Sequence, residues 1–201
     1  MKQLIYIHGW MCQPDNDAFC KALETRDYDP FEDKSQRKDW FESLKWTYQI
    51  IRPEMPNKNM ASYKAWKIWF EKIFPYINDE DLVVVGHSLG AMFLIKYLWE
   101  NTFPKKIKQL HLMSSVFDES DMSDEEKYSW DFTYDPKIIP NLEDQAEKIF
   151  LYHSTDDELV PYSHTEKIKA YLPNAKFITL TDRGHFLQPE IPEVIANILH
   201  G

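Results

Sequence analysis

Glycine is scarce in this chain, five residues in 201, and cysteine scarcer, with two. The glycines form no phosphate-cradling loop and no dinucleotide fingerprint, so the residues imply no cofactor. Cys12 and Cys20 make no metal-ligand pattern with a histidine pair, and the expectation is two free thiols in a reducing cytoplasm. His111, His153, His164 and His200 are likewise spaced unlike metal ligands. Basic charge is in deficit: Lys and Arg total 23 against 33 acids, for a formal net charge of -10. Such a surface does not track phosphates, which argues against a nucleic-acid partner. No apolar run reaches the length of a membrane span, so no membrane insertion is expected. Met1 to Ile7 is too short for a signal peptide and leads straight into a strand.

What remains is an ordinary globular composition, 43% hydrophobic and 28% charged. The length suits a single domain over 1–201, large enough to bury a substantial core. Short β-rich runs alternate with longer helical patterns, which predicts an α/β fold: a three-layer α/β/α sandwich around a mostly parallel sheet of about six strands. The strands are expected at Gln3–His8, Thr47–Ile51, Leu82–Gly86, Gln109–Met113, Lys148–Tyr152 and Lys176–Leu180. Most are nearly continuous apolar runs, as strands covered on both faces should be. Helices are expected around Asp39–Trp46, Ser62–Ile77, Ala91–Glu100, Ser163–Tyr171 and Pro189–His200. Trp66, Trp69, Phe70, Ile73 and Phe74 recur at helical spacing and read as a packing face.

Two stretches lack a clear period. Residues Cys12–Gln36 read as a long surface excursion with a short helical stretch. Residues Phe117–Gln145 begin with an acidic block, Asp118 to Glu126, best read as a solvated face. They then turn aromatic with Tyr128, Trp130, Phe132 and Tyr134. That second half follows the carboxyl end of a strand, where ligand-binding loops of open α/β sheets sit. Trp130 and Phe132 are therefore expected either to line a site or simply to pack.

The chemistry-bearing motif is Gly86-His87-Ser88-Leu89-Gly90, between the run Leu82 to Val85 and an apolar-periodic stretch from Ala91. Strand, Gly-x-Ser-x-Gly, helix is the sequence form of a nucleophile elbow. The turn strains its central residue, and Gly86 and Gly90 remove side chains that would collide beside it. Ser88 is then presented at the carboxyl end of a sheet. A serine hydroxyl needs a base, and the base a third group to fix its tautomer. Both must come from later strand ends. After Lys148–Tyr152 lies His153-Ser154-Thr155-Asp156-Asp157, and after Lys176–Leu180 lies Thr181-Asp182-Arg183-Gly184-His185-Phe186. Gly184 is expected to clear side-chain bulk beside His185. The chain order Ser88, Asp157, His185 is the one such hydrolytic triads follow. Asp156 and Asp118 remain alternative acids, and Asp157 could instead cap the helix beginning near Tyr162.

Together, His8-Gly9-Trp10, the Gly86–Gly90 elbow, Ser154–Pro161 and Gly184-His185-Phe186 make the chain resemble an α/β-hydrolase. The group in question is the small, lidless serine hydrolases that include YdeN and the retinoblastoma-binding-protein hydrolases. The resemblance spans nearly the whole length. It implies Asp157 as the acid of an Asp-x-x-Val-Pro run, and backbone N–H groups of Trp10 and Leu89 as an oxyanion hole. It also implies a structural role for His8 and no full cap domain. The expected activity is cleavage of a carboxylic ester, or else a thioester or amide, of a small-molecule substrate through an acyl-enzyme. The rival expectation is a non-catalytic protein-interaction module on the same scaffold.

Overall fold

The computed structural model describes residues 1–27, 31, 39–78, 81–120 and 130–201, with the Trp130 side chain left out. The described strands are β1 (Lys2–Ile7), β2 (Tyr48–Ile51), β3 (Val83–His87), β4 (Ile107–Met113), β5 (Ala146–Ser154) and β6 (Lys176–Leu180). They form one sheet in the order β2-β1-β3-β4-β5-β6, and every pairing is parallel. The expectation of a mostly parallel sheet of about six strands is met, and β5 extends further at both ends than expected.

Alternate residues along each strand feed two separate cores, as the pleat dictates. Ile5, Ile7, Val84, Leu110 and Leu112 turn to one face. Helices α2 (Tyr63–Glu71), α3 (Leu89–Glu100) and α5 (Ser163–Tyr171) cover that side. Leu4, Tyr6, Val83, Val85 and Met113 turn to the other, against Trp40, Phe41, Leu44 and α6 (Pro192–His200). The result is the three-layer α/β/α sandwich.

Three helical expectations change in detail. Trp40–Trp46 is a 3-10 segment rather than an α-helix. Its tighter winding sets Phe41 and Leu44, three residues apart, in line against the sheet. The helix expected over Ser62–Ile77 stops at Glu71, because the Pro75 ring in an α-helix would meet the Glu71 carbonyl four residues back. Trp66 and Phe70 are fully buried, while Trp69 is 44% exposed, so only part of the stripe packs. The last helix begins at Pro192, a residue suited to a first helical position.

Within 12–36, helix α1 (Asn16–Thr25) is capped by Asp15 Oδ1 accepting from Ala18 N at 2.8 Å and buries none of its residues. That is the surface excursion expected; residues 28–30 and 32–36 lie outside the described residues. So do residues 121–126 of the acidic block and Tyr128. Phe132 is fully buried, 5.2 Å from the Trp66 ring and 5.9 Å from Tyr63. It is core, not site lining, because α2 and α3 leave an aromatic-sized gap that it fills. A short helix, α4 (Leu142–Gln145), leads into β5. Both cysteines are free thiols. Among the described residues no helix is long and apolar enough to cross a membrane.

Candidate active site

Consecutive strands spread outward from β1 toward β2 and then from β3 toward β6. The order therefore reverses between β1 and β3, and open α/β sheets bind ligands outside the carboxyl ends of the strands at such a point. A cavity of about 350 Å³ opens there, lined by residues that include His8, Trp10, Met11, His87, Ser88, Leu89, Val116, Val160, His185 and Leu187.

Ser88 joins β3 to α3 with φ 53 and ψ -122, the strained turn its motif predicts. Its N–H donates to the Met113 carbonyl at 2.8 Å, tying the turn to the end of β4. A Cβ on Gly86 would lie 2.7 Å from Ala91 Cα, so glycine lets β3 and α3 approach. Gly9 does the same for the nucleophile candidate: a Cβ there would lie 2.6 Å from Ser88 Cβ. Leu89 is the first residue of α3, where an N–H has no intrahelical acceptor. Trp10 lines the same cavity, its indole N–H donating to Asn59 Oδ1 at 2.7 Å and its ring carrying the Lys58 ammonium at 4.0 Å.

His185 Nδ1 donates to Asp157, 3.0 Å from Oδ1 and 2.9 Å from Oδ2. That bond leaves Nε2 as the proton-accepting nitrogen. Burial alone would raise the Asp157 carboxyl, but hydrogen bonds from His153, His185 and Ser114 outweigh it and hold it well below the usual carboxylate range. Oδ1 also accepts from Leu159 N and Val160 N, each at 3.0 Å, so Asp157 caps its own loop rather than the helix beyond. Ser88 lines the same cavity as His185, with no direct hydrogen bond between the two side chains.

The alternative acids sit elsewhere. Asp156 accepts from the Ser154 hydroxyl and from Gly184 N at 3.1 Å, bracing the loop that carries His185. Asp118 accepts from Ser120 N at 2.9 Å and lies 3.8 Å from Lys167 Nζ. Gly184 needs correction too: a Cβ there would meet nothing within 4 Å, and its requirement is the left-handed φ of +47.

His8 accepts from Met55 N at Nε2 (3.0 Å) and donates from Nδ1 to its neighbour's carbonyl at Gly9 (3.0 Å); burial lowers its pKa. It staples the loop after β1. Cys12 lies in the cavity wall, where burial pushes its thiol up to about 11, keeping it protonated and inert near neutral pH.

Three further groups escaped the sequence reading. His87 Nε2 donates to the His185 carbonyl at 2.8 Å, and burial together with the nearby His185 pushes its pKa down to about 3. Ser114 and His153 both reach Asp157 Oδ2, at 2.6 Å and 3.4 Å. Their only sequence signal is place: the residue just after β4, and a histidine inside an apolar strand. Among the described residues, Ser88, Ser114 and Phe186 are three of five non-glycine residues with positive φ. Strain of this kind gathers at functional sites.

No family model matches the chain. It is 27% identical over 148 residues to serine hydrolase RBBP9 of Rattus norvegicus, covering 74% of this chain and 75% of that protein. The B. subtilis ydeN gene product superposes with a TM-score of 0.72 over the whole of both chains, at 18% identity. The meta-cleavage product hydrolase CumD of Pseudomonas fluorescens gives 0.66 over 99% of this chain and 88% of its own, at 14% identity. MenH of S. aureus gives 0.61 over 98% and 91%, at 12%. The chain has the α/β-hydrolase fold. Within that fold it is similar in sequence to serine hydrolase RBBP9 and in structure to the ydeN gene product.

Proposed function

We propose that this chain, as one domain over 1–201, is a serine hydrolase that cleaves a carboxylic ester of a small-molecule substrate through an acyl-enzyme. The observation that carries the reading is the buried Asp157–His185 pair on the cavity that Ser88 also lines. Ser88 attacks the carbonyl carbon while His185 Nε2 takes the hydroxyl proton, and Asp157 steadies the imidazolium through Nδ1. The N–H groups of Trp10 and Leu89 stabilise charge that develops on the carbonyl oxygen only in the tetrahedral intermediate. His185 then protonates the leaving alcohol and, in the second half, activates water to release the acid. Apart from that water, every group this reaction uses is a side chain or a backbone amide, and no cofactor is needed.

The cavity, about 350 Å³ and walled by Met11, Val116, Val160 and Leu187, suits a compact apolar acyl group. The free thiols of Cys12 and Cys20 fit a reducing compartment such as the cytoplasm.

The test pairs a fluorophosphonate probe with a series of aryl esters of increasing acyl length. The wild type should label and turn over, preferring short acyl chains. Ser88→Ala should lose labelling and about 10⁶-fold in turnover if the three residues act as a unit. Equal labelling of both proteins, or of neither, would point instead to a binding module on a hydrolase scaffold.

A further inference from the structure

Beyond His185, four groups converge on the Asp157 carboxylate. Two are local: Leu159 N and Val160 N bind Oδ1 from two and three residues further along. The other two reach Oδ2, Ser114 from the end of β4 and His153 from four residues back in the chain. The Ser114 hydroxyl donates at 2.6 Å across a separation of 43 residues. His153 Nε2 lies 3.4 Å away on β5 and donates at 2.9 Å to the Val160 carbonyl, while its Nδ1 accepts from Thr165 Oγ1 at 2.6 Å. Ser114 and the side chains of His153 and Asp157 are fully buried.

Ser114 is the unusual member. Its φ of 42 lies in the left-handed region, which a residue with a Cβ enters at a cost. Glycine would take that conformation freely, so what serine adds at this position is the hydroxyl. The backbone there is fully employed as well. Ser114 N donates to the Tyr152 carbonyl at 2.9 Å, and the preceding carbonyl, Met113, accepts Ser88 N at 2.8 Å. Two consecutive residues at the end of β4 thus hold the backbone of the serine turn and the side chain of the acid.

We propose that Ser114 is a positioning residue of this site, its strained backbone aiming the hydroxyl at Asp157 Oδ2 so that the carboxylate meets His185 Nδ1 in a fixed orientation. Oδ1 is anchored by its own loop, and Ser114 sets the remaining rotation. His153 closes the same oxygen from behind. The inference rests on the Ser88, His185 and Asp157 reading above. The titratable groups facing Asp157 are His185, from the loop after β6, and His153, from β5. His87, on the elbow, is next, with its ring centroid 4.7 Å from that of His185.

The experiment compares wild type, Ser114→Gly and Ser114→Ala in aryl-ester hydrolysis across pH and in thermal melting, with Ser88→Ala alongside. Both Ser114 variants should lose roughly ten- to a hundredfold in kcat at unchanged KM, the loss expected for a hydrogen bond to a charged group. The acidic limb of kcat/KM should move to higher pH, because Oδ2 without the hydroxyl holds a proton on His185 more tightly. Ser114→Gly should melt higher than Ser114→Ala, since glycine relieves the backbone. Wild-type kcat and an unmoved acidic limb in both variants, with Ser88→Ala inactive, would overturn this inference and leave the hydrolase reading standing. A loss shared between kcat and KM with an unmoved limb would also overturn it, by reducing Ser114 to packing. An active Ser88→Ala would remove the hydrolase reading, and this one with it.

Discussion

Gly90 and Ile7 approach so closely that a β-carbon on residue 90 would sit 2.3 Å from the Ile7 carbonyl oxygen. That contact sets the spacing between β1, which leads to the Trp10 loop, and α3, which begins beside Ser88. Gly90→Ala should therefore cost about 3 kcal/mol, the upper end of overpacking, because the obstacle is backbone and cannot rotate away. Ester turnover should fall with it. Gly184→Ala meets no atom within 4 Å and has only its φ of +47 to overcome. It should cost about 1 kcal/mol and leave turnover within a few-fold. Chemical denaturation and an ester assay on the two variants check the ranking; equal effects would contradict it.

The adjacent acids should separate cleanly. Asp157 bonds His185 Nδ1 directly, so Asp157→Asn should lower kcat by about 10⁴-fold through the wrong imidazole tautomer. Asp156 touches Ser154 and Gly184 N but not the ring. Asp156→Asn should lower kcat by only about tenfold, through a looser loop. Steady-state kinetics on both decide the matter, and a reversed order would reassign the acid.

Stability should fall on mild acidification. Burial pushes both His87 and His111 from 6.5 down to about 3, so the folded protein keeps them neutral. The unfolded chain takes up those protons below about 6.5, and stability declines as pH drops from there toward 3. Each histidine contributes a slope of about 1.4 kcal/mol per pH unit within that window. The depressed Asp157 carboxyl acts in the same direction lower down, its contribution being lost as pH falls below 3.8. Urea midpoints at pH 7, 6, 5 and 4 should descend; a flat series from 7 to 4 would contradict the neutral buried histidines.

The layers of the fold were readable because a strand covered on both faces must be apolar on both. Val83, Val84 and Val85 carry that signal without any knowledge of their neighbours. Helix limits were less readable. Where α2 ends depends on one ring, that of Pro75, inside an otherwise continuous pattern. The type of helix at Trp40–Trp46 depends on what Phe41 and Leu44 meet across the sheet. Phe132 could be read as lining or as packing until Trp66 and Tyr63 were seen around it.

The candidate site divides along the same line. Chain order and local motif singled out Ser88 and His185, since an elbow and a loop at a strand end are written in contiguous residues, while the choice of Asp157 over Asp156 and Asp118 came from the family resemblance. Gly-x-Ser-x-Gly, the apolar strand before it and the histidine after the last strand are properties of the chain itself, imposed by local sterics and by burial on two faces. The grip of Ser114 and His153 on Asp157, the bond from His87 to the His185 carbonyl and the press of Gly9 on Ser88 belong to the folded molecule alone. The Gly9–Ser88 and Ser114–Asp157 contacts join the ends of strands that neighbour one another only because the sheet runs β1-β3-β4-β5 in space, His87 reaches the loop after β6, and a hydrogen bond depends on that separation in ångströms rather than on distance along the chain.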